Sequence, residues 1–205
     1  MAATTTRVAP ADKHDVRRRA LAESALRTLG ELGYAKASLR EIANNSEFSH
    51  GVVHYYFADK LELIVFGVRM YKETCVTRYD GVVAASGTAA ELLDAFAEKL
   101  VETIEDEAPM HRLWYDLRAQ SMFEESLREA VGQIDRTLEE MIWRVVTRYA
   151  ELAGAEPAVA AHAAYGVLDG IFQQGLLGHL NGDAADPLGD LRREVRAVLP
   201  LMLRR

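Results

Sequence analysis

The sequence predicts an all-α protein, with a small three-helix unit at the N-terminus and a larger helical bundle behind it. Three observations carry that expectation. Apolar residues recur at three- and four-residue spacing nearly throughout, no Val/Ile/Thr alternation is long enough for a sheet, and caps, glycines and prolines cut the pattern into helix-sized pieces. At 205 residues, 49 % hydrophobic and 27 % charged, the chain has the balance of an ordinary folded protein of one or two domains.

The elements follow in order. Residues from about Asp12 to Leu32 predict the first helix, with Val16, Ala20, Leu21, Ala25, Leu29 and Leu32 on one face and Gly33 as its stop. Ser38 and Glu41 form a capping box for a second, Ser49 caps a third, and Asp59 with Glu62 caps a fourth. That fourth pattern runs through Tyr79 until the small-residue stretch Gly81 to Ala90 breaks it. Leu93, Phe96, Leu100 and Ile104 stripe a helix that ends at Pro109. Leu127, Val131, Ile134, Leu138, Met141, Val145, Tyr149 and Leu152 then mark a buried seam at 4-3-4-3 spacing. AGAEP at 153–157 and NGDAADPLGD at 181–190 delimit two last helices, about 157–180 and 188–203. The expected domains are 1–58 and 59–205.

Charge and composition narrow the function classes. The net charge of −7 opposes indiscriminate polyanion binding, yet residues 1–60 hold 9 Lys+Arg against 7 Asp+Glu while the remainder holds 15 against 24. The longest uncharged stretch, Gly170 to Gly182, is too short to span a bilayer, and residues 1–19 lack the apolar segment of a secretory signal. The expectation is a cytoplasmic protein without a membrane partner. The single cysteine, Cys75, excludes an internal disulfide and a multi-cysteine metal site. No nucleophile elbow, phosphate-binding glycine loop or HExxH motif is present, so neither an enzyme nor a cofactor is expected.

Two short capped helices flanking the turn Ser46 to Phe48 suit a helix-turn-helix, whose second helix enters the major groove of DNA. That helix, SHGVVHYYF at 49–57, turns Val53 and Phe57 inward and presents His50, His54, Tyr55 and Tyr56, while Gly51 lets backbone approach a phosphate or base. The N–H groups at Ser49 and His50, and those behind Ser38 at Leu39 and Arg40, can bind phosphates, and Lys60, Arg17, Arg18 and Arg19 can reach the same strand. The alternative for each arginine is a solvated helix face. His50 and His54 also have the i, i+4 spacing of metal ligands, but the zincin glutamate and a third ligand are missing, so no metal is expected.

With these residues in place, SLREIANNSEFSHGVVHYYFADKLEL at 38–63 resembles the DNA-binding signature of the tetracycline-repressor (TetR) family. The matching features are Ile42-Ala43, the Ser49-His50-Gly51 entry to the recognition helix, the cluster Tyr55-Tyr56-Phe57, and Lys60. The resemblance implies a homodimeric transcription factor, usually a repressor, that binds a palindromic double-stranded operator and is released by a small apolar or amphipathic effector held in the C-terminal domain. Two departures stand out. Where the family commonly has Ala-Gly in the turn, this chain has Ser46-Glu47, which in a left-handed backbone would cost ~1–2 kcal/mol. The first aromatic position, more often Tyr, is His54, a donor to phosphate or purine.

A dimer must hold two reading helices about one DNA turn apart, ~34–36 Å, or a multiple of it. The expected seam is formed by about 157–180 and 188–203, where Ala160, Ala163, Gly166, Gly170 and Gly178 allow close approach and Leu191, Val195, Val198, Leu199 and Met202 form an apolar stripe. The competing reading of that stripe is an intramolecular core. The effector cavity that the resemblance implies has Trp114, Met122, Phe123, Trp143, Tyr165 and Phe172 as candidate walls. His111, Asp116 and Arg118 are its candidate polar anchors, and Cys75 either faces it or is a buried inert thiol. Rival functions are a small helical enzyme using His50/His54 or Cys75, and an interaction module with a vestigial helix-turn-helix.

Overall fold

A computed structural model of the chain describes residues 10–182 and 186–204, with the side chains of 10–12, 72 and 74 outside the description. Part of the segment read as lacking a secretory signal, 1–9, and the middle of the 181–190 break, 183–185, lie outside the described residues. The rest is helical apart from one short strand pair, and the chain divides into two compact units, Met1–Tyr71 and Lys72–Arg205.

In the first unit, α1 (Pro10–Leu32) ends where Gly33 takes a φ of 81° and returns its N–H to the Leu29 carbonyl at 2.8 Å. Short helices α2 (Leu39–Asn44) and α3 (His50–Tyr56) and the start of α4 (Lys60–Cys75) close over it. Leu21, Ala22, Ala25, Ile42, Ala43, Val53, Phe57 and Leu63 form the core. Val16 departs from the expected apolar face and is 61 % exposed, because helices of six and seven residues cannot cover the whole of α1. Leu63, with Phe66 and Met70 packed beside it, belongs to this core. The first compact unit extends to Tyr71.

The second unit departs from the expected helix ends in three places. Helix α4 stops at Cys75, not Tyr79, and the stretch read as a break carries a short helix, α5 (Asp80–Ala85). Buried Tyr79 anchors it, and Val82 and Val83 lean on the second core, so apolar contact overrides the weak propensity of the small residues. Helix α6 (Ala89–Gln120) runs past Pro109, and the proline leaves a kink at Glu107 (φ −134°, ψ 24°). Pro109 has no N–H to give and its ring crowds the carbonyl four residues back, so one helical segment ends and another begins at once.

Helix α7 (Glu125–Ala153) carries the expected seam, with Leu138 and Leu152 only partly buried. After Gly154 (φ 62°), β1 (Glu156–Pro157) pairs antiparallel with β2 (Leu203–Arg204), a two-residue ladder that helical periodicity could not announce. Between the strands lie α8 (Ala161–Asn181), α9 (Pro187–Val198), capped by the Asp186 carboxylate, and a 3-10 turn, Leu199–Met202.

The close approach between α8 and α9 is made at Gly175, where an added Cβ would sit 3.2 Å from the Leu191 Cβ. The expected small-residue seam did not include that glycine. Gly166 and Gly170 have nothing within 4 Å of such a Cβ. Leu191, Val195, Leu199 and Met202 are at most 4 % exposed inside their own chain. The stripe assigned to the dimer is therefore intramolecular core, and what α8 leaves outside is Val167, Leu177 and Leu180. No helix among the described residues is long and apolar enough to cross a membrane.

Candidate nucleic-acid interface and ligand cavity

The N-terminal unit fixes its third helix by local hydrogen bonds. Ser38 Oγ accepts from the Glu41 N–H at 3.2 Å and the Glu41 carboxylate accepts from the Ser38 N–H at 3.0 Å, the capping box expected. In the turn, Ser46 Oγ donates to the Ala43 carbonyl and accepts the Phe48 N–H, both at 3.1 Å. No non-glycine residue among those described has positive φ, so Ser46-Glu47 carries no left-handed cost. The serine hydroxyl closes the turn without a glycine. Ser49 stands at the N-cap of α3, but its side chain makes no capping bond.

Val53 and Phe57, 0 % and 1 % exposed, anchor α3 from beneath. His50, Gly51, His54 and Tyr55 are exposed on its other face and Tyr56 is half-buried. A Cβ on Gly51 would meet nothing within 4 Å, so the fold itself does not require glycine there. The rings pair locally: His50 lies 4.5 Å from His54, and Tyr55 lies 5.0 Å from Tyr56 at 88°. His14 of α1 joins them, 4.8 Å from Tyr56 and 6.2 Å from Tyr55. It was missed in the sequence because no local spacing links it to α3.

Two of the expected phosphate contacts act as internal tethers. Lys60 Nζ donates to the Tyr34 carbonyl at 2.6 Å and lies 4.0 Å over the Tyr34 ring. Arg18 pairs with Glu62 at 2.7 Å and stacks 4.4 Å over Phe66. Arg17, Arg19, Ser38 and Arg40 are exposed, while Leu39 is half-buried against the core. Among the described residues, no group of three metal-ligating side chains forms at His50 and His54.

In the C-terminal unit, α6, α7, α8 and Tyr79 line a half-open cavity of about 70 Å³. The expected residues His111, Trp114, Tyr165 and Phe172 line it, together with Tyr79, Tyr115 and Asp169, which the sequence did not single out. Arg118 and Met122 line a neighbouring open cleft of about 600 Å³ that shares Tyr115 and Asp169 with the cavity. The remaining candidates lie elsewhere. Phe123 is 82 % exposed because it sits on the turn after α6, and Met122 is 69 % exposed. Trp143 packs against the core away from the cavity, Asp116 bonds Gln120 on its own helix, and buried Cys75 faces the Arg78 guanidinium.

A polar network braces the wall. Arg118 pairs with Asp169 at 2.5 Å and Asp135 at 3.5 Å. Tyr115 donates to Asp169 at 3.0 Å and Tyr165 to Asp135 at 2.8 Å. One guanidinium thus faces two carboxylates. Burial and then the nearby Asp169 carboxylate push the Tyr115 and Tyr165 hydroxyls far up, so both remain neutral donors. Burial, reinforced by Arg78, holds His111 down at about 4. Arg78 lies 3.3 Å from His111 Nε2 and pairs with Glu107 at the kink of α6.

The family model of the BetI-type transcriptional repressor C-terminal domain matches residues 89–200, and that of the bacterial regulatory proteins of the tetR family matches residues 21–65. The HTH-type transcriptional regulator BetI of Burkholderia thailandensis is 29 % identical over 168 residues, 80 % of this chain and 83 % of that one. BetI of Cronobacter sakazakii is 26 % identical over 167 residues, 79 % and 80 % of the two chains. Among solved structures, a transcriptional regulator from Saccharomonospora viridis in complex with choline has a TM-score of 0.75 at 18 % identity, covering 93 % of this chain and 100 % of its own. FadR from Bacillus subtilis in complex with stearoyl-CoA has a TM-score of 0.70 at 16 % identity, covering 87 % and 95 %. At those identities the two structures share the fold.

Proposed function

The chain belongs to the TetR family of transcriptional regulators, with a BetI-type C-terminal domain, and from that premise we propose that it is a repressor that binds a palindromic operator as a homodimer and leaves it when a small amphipathic cation fills the C-terminal cavity. As a member of that family it is a DNA-binding regulator and not an enzyme. The observation that carries the reading is the exposed face of α3, where His50, His54, Tyr55 and half-buried Tyr56 stand above an anchor of Val53 and Phe57. Histidine and tyrosine tips suit base edges and phosphates. Arg17 and Arg40 supply exposed cations for the phosphate strand, and Lys60 and Arg18 serve by holding the helices that present them.

The cavity speaks to the effector. By the same measure of volume a water needs about 10–15 Å³, so about 70 Å³ suits a molecule of a few non-hydrogen atoms and not a long acyl chain. Aromatic faces attract a cation, and the two carboxylates on one guanidinium leave a surplus negative charge. Of the ligands in the two solved structures, choline fits this chemistry and stearoyl-CoA does not. The dimer forms through the outer face of α8 around Val167, Leu177 and Leu180, and the protein works in the cytoplasm at the nucleoid. An effector that favours one arrangement of the reading heads shifts the population away from the operator-competent state.

A gel shift on the DNA upstream of its own coding sequence tests the reading. A saturable complex is expected, weakening steeply with salt, released by choline and untouched by stearoyl-CoA, with reporter expression rising when choline is added. Absence of specific binding at any palindromic site would refute it.

A further inference from the structure

We propose that Trp114 sets effector specificity: its indole N–H donates a hydrogen bond to an acceptor oxygen of the ligand, so the cavity takes cations that carry a hydroxyl or carboxylate in preference to cations that do not. The inference rests on reading the cavity as the effector site. Trp114 is 8 % exposed, lines the cavity, and its Nε1 is buried with no hydrogen-bond partner in the protein. An indole nitrogen is a donor only, so what it lacks is an acceptor. Buried donors of this kind are rare because leaving them unpaired is costly. One that persists in a side chain lining a cavity gains its acceptor when a ligand enters and shifts that wall.

Among the described residues no acceptor lies within hydrogen-bond reach of that nitrogen. The Asp169 carboxylate already accepts from Tyr115 and Arg118, and Asp135 accepts from Tyr165 and pairs with Arg118. Three residues before Trp114 on the same helix, His111 takes the Arg78 N–H at Nε2. Arginine can only donate, so the neutral ring carries its hydrogen on Nδ1 and adds a second donor on that face of α6. Donors therefore cluster on α6, while Tyr165 and Phe172 bring aromatic faces and Asp169 brings negative charge from α8 and its contact with α7. A ligand that satisfies both has a cationic end and an oxygen end.

The test is calorimetric titration of the full-length protein with a matched pair, choline and ethyltrimethylammonium, which lacks the hydroxyl. Wild type should bind choline on the order of tenfold tighter, the penalty for an unpaired buried donor. Trp114→Phe should abolish the preference by weakening choline alone. A variant that keeps the preference, or a wild type that binds both equally, overturns the role given to Trp114 and leaves the effector site standing. If neither compound binds wild type, the effector reading falls and this inference with it. Should Trp114→Phe fail to fold, Trp143→Phe leaves Trp114 as the sole indole of the two in the chain. Its emission should move to longer wavelength with choline and not with ethyltrimethylammonium, and equal movement would overturn the proposal.

Discussion

The two units use the same residue types in opposite ways. In the N-terminal unit histidine and tyrosine rings stand outside a small core of residues such as Leu21, Ile42, Val53 and Phe57, and their polar tips are left to solvent. In the C-terminal unit Tyr79, His111, Tyr115 and Tyr165 line a half-open cavity, where burial pushes Tyr79 up to about 12 and His111 down to about 4. The difference teaches that an aromatic-histidine cluster is uncommitted chemistry until burial is known. Exposed, it can face a polyanion such as DNA. Buried beside carboxylates, it suits a small cation.

The sharpest way to break the first half of the comparison is Phe57→Ala. Phe57 is 1 % exposed and anchors the C-terminal end of α3, so truncation should cost about 3–5 kcal/mol. The N-terminal unit, lacking much core to spare, should lose its helical signal at lower denaturant than wild type. Loss confined to the C-terminal unit would contradict the placement of that anchor.

The contrast also explains what could be read from the chain in advance. The exposed face of α3 is written almost wholly within one short helix, so His50, His54 and Tyr55 are legible as a local pattern, whereas His14, which α1 brings beside Tyr56, is not. The cavity gathers residues from Tyr79 to Phe172, and helical spacing shows which of them are apolar or aromatic without showing which face meets which. Spacing alone therefore groups Trp114, Tyr165 and Phe172, which line the cavity, with Trp143 and Phe123, which do not, and gives no mark to Asp169, a lone carboxylate on α8. The α9 stripe fits a dimer seam and an intramolecular core equally well in sequence, because periodicity records burial and not what does the burying, and its own chain covers it.

The second half of the comparison is sharpened by pH. His111 titrates near 6.5 when unfolded and near 4 when folded, so below pH 6.5 the unfolded state binds more protons. Its contribution is complete above pH 6.5 and is lost as pH falls towards 4, on the order of 3 kcal/mol, against the charges of Arg78 and Glu107 that face it. Thermal melts of the protein and of His111→Phe should diverge across that window in slope. Parallel curves would place the imidazole in solvent.

Asp169→Asn should cost about 1–2 kcal/mol, since it leaves half-buried Arg118 with Asp135 alone and loosens Tyr115. Choline affinity should fall with it. A melt unchanged from wild type would show that the Arg118 network contributes nothing to the wall. The smallest effect belongs to the turn: Ser46→Ala removes the hydroxyl shared by Ala43 and Phe48 and should cost about 1 kcal/mol, read by denaturant unfolding. No change would mean that the turn holds without it.

Tyr55→Ala examines most directly whether the exposed rings read DNA. Tyr55 is 74 % exposed, so the melting curve and choline affinity should match wild type while operator affinity drops by about tenfold or more. Undiminished operator binding in a fully folded Tyr55→Ala protein would contradict the account, because the face of α3 would then not be what meets the double helix.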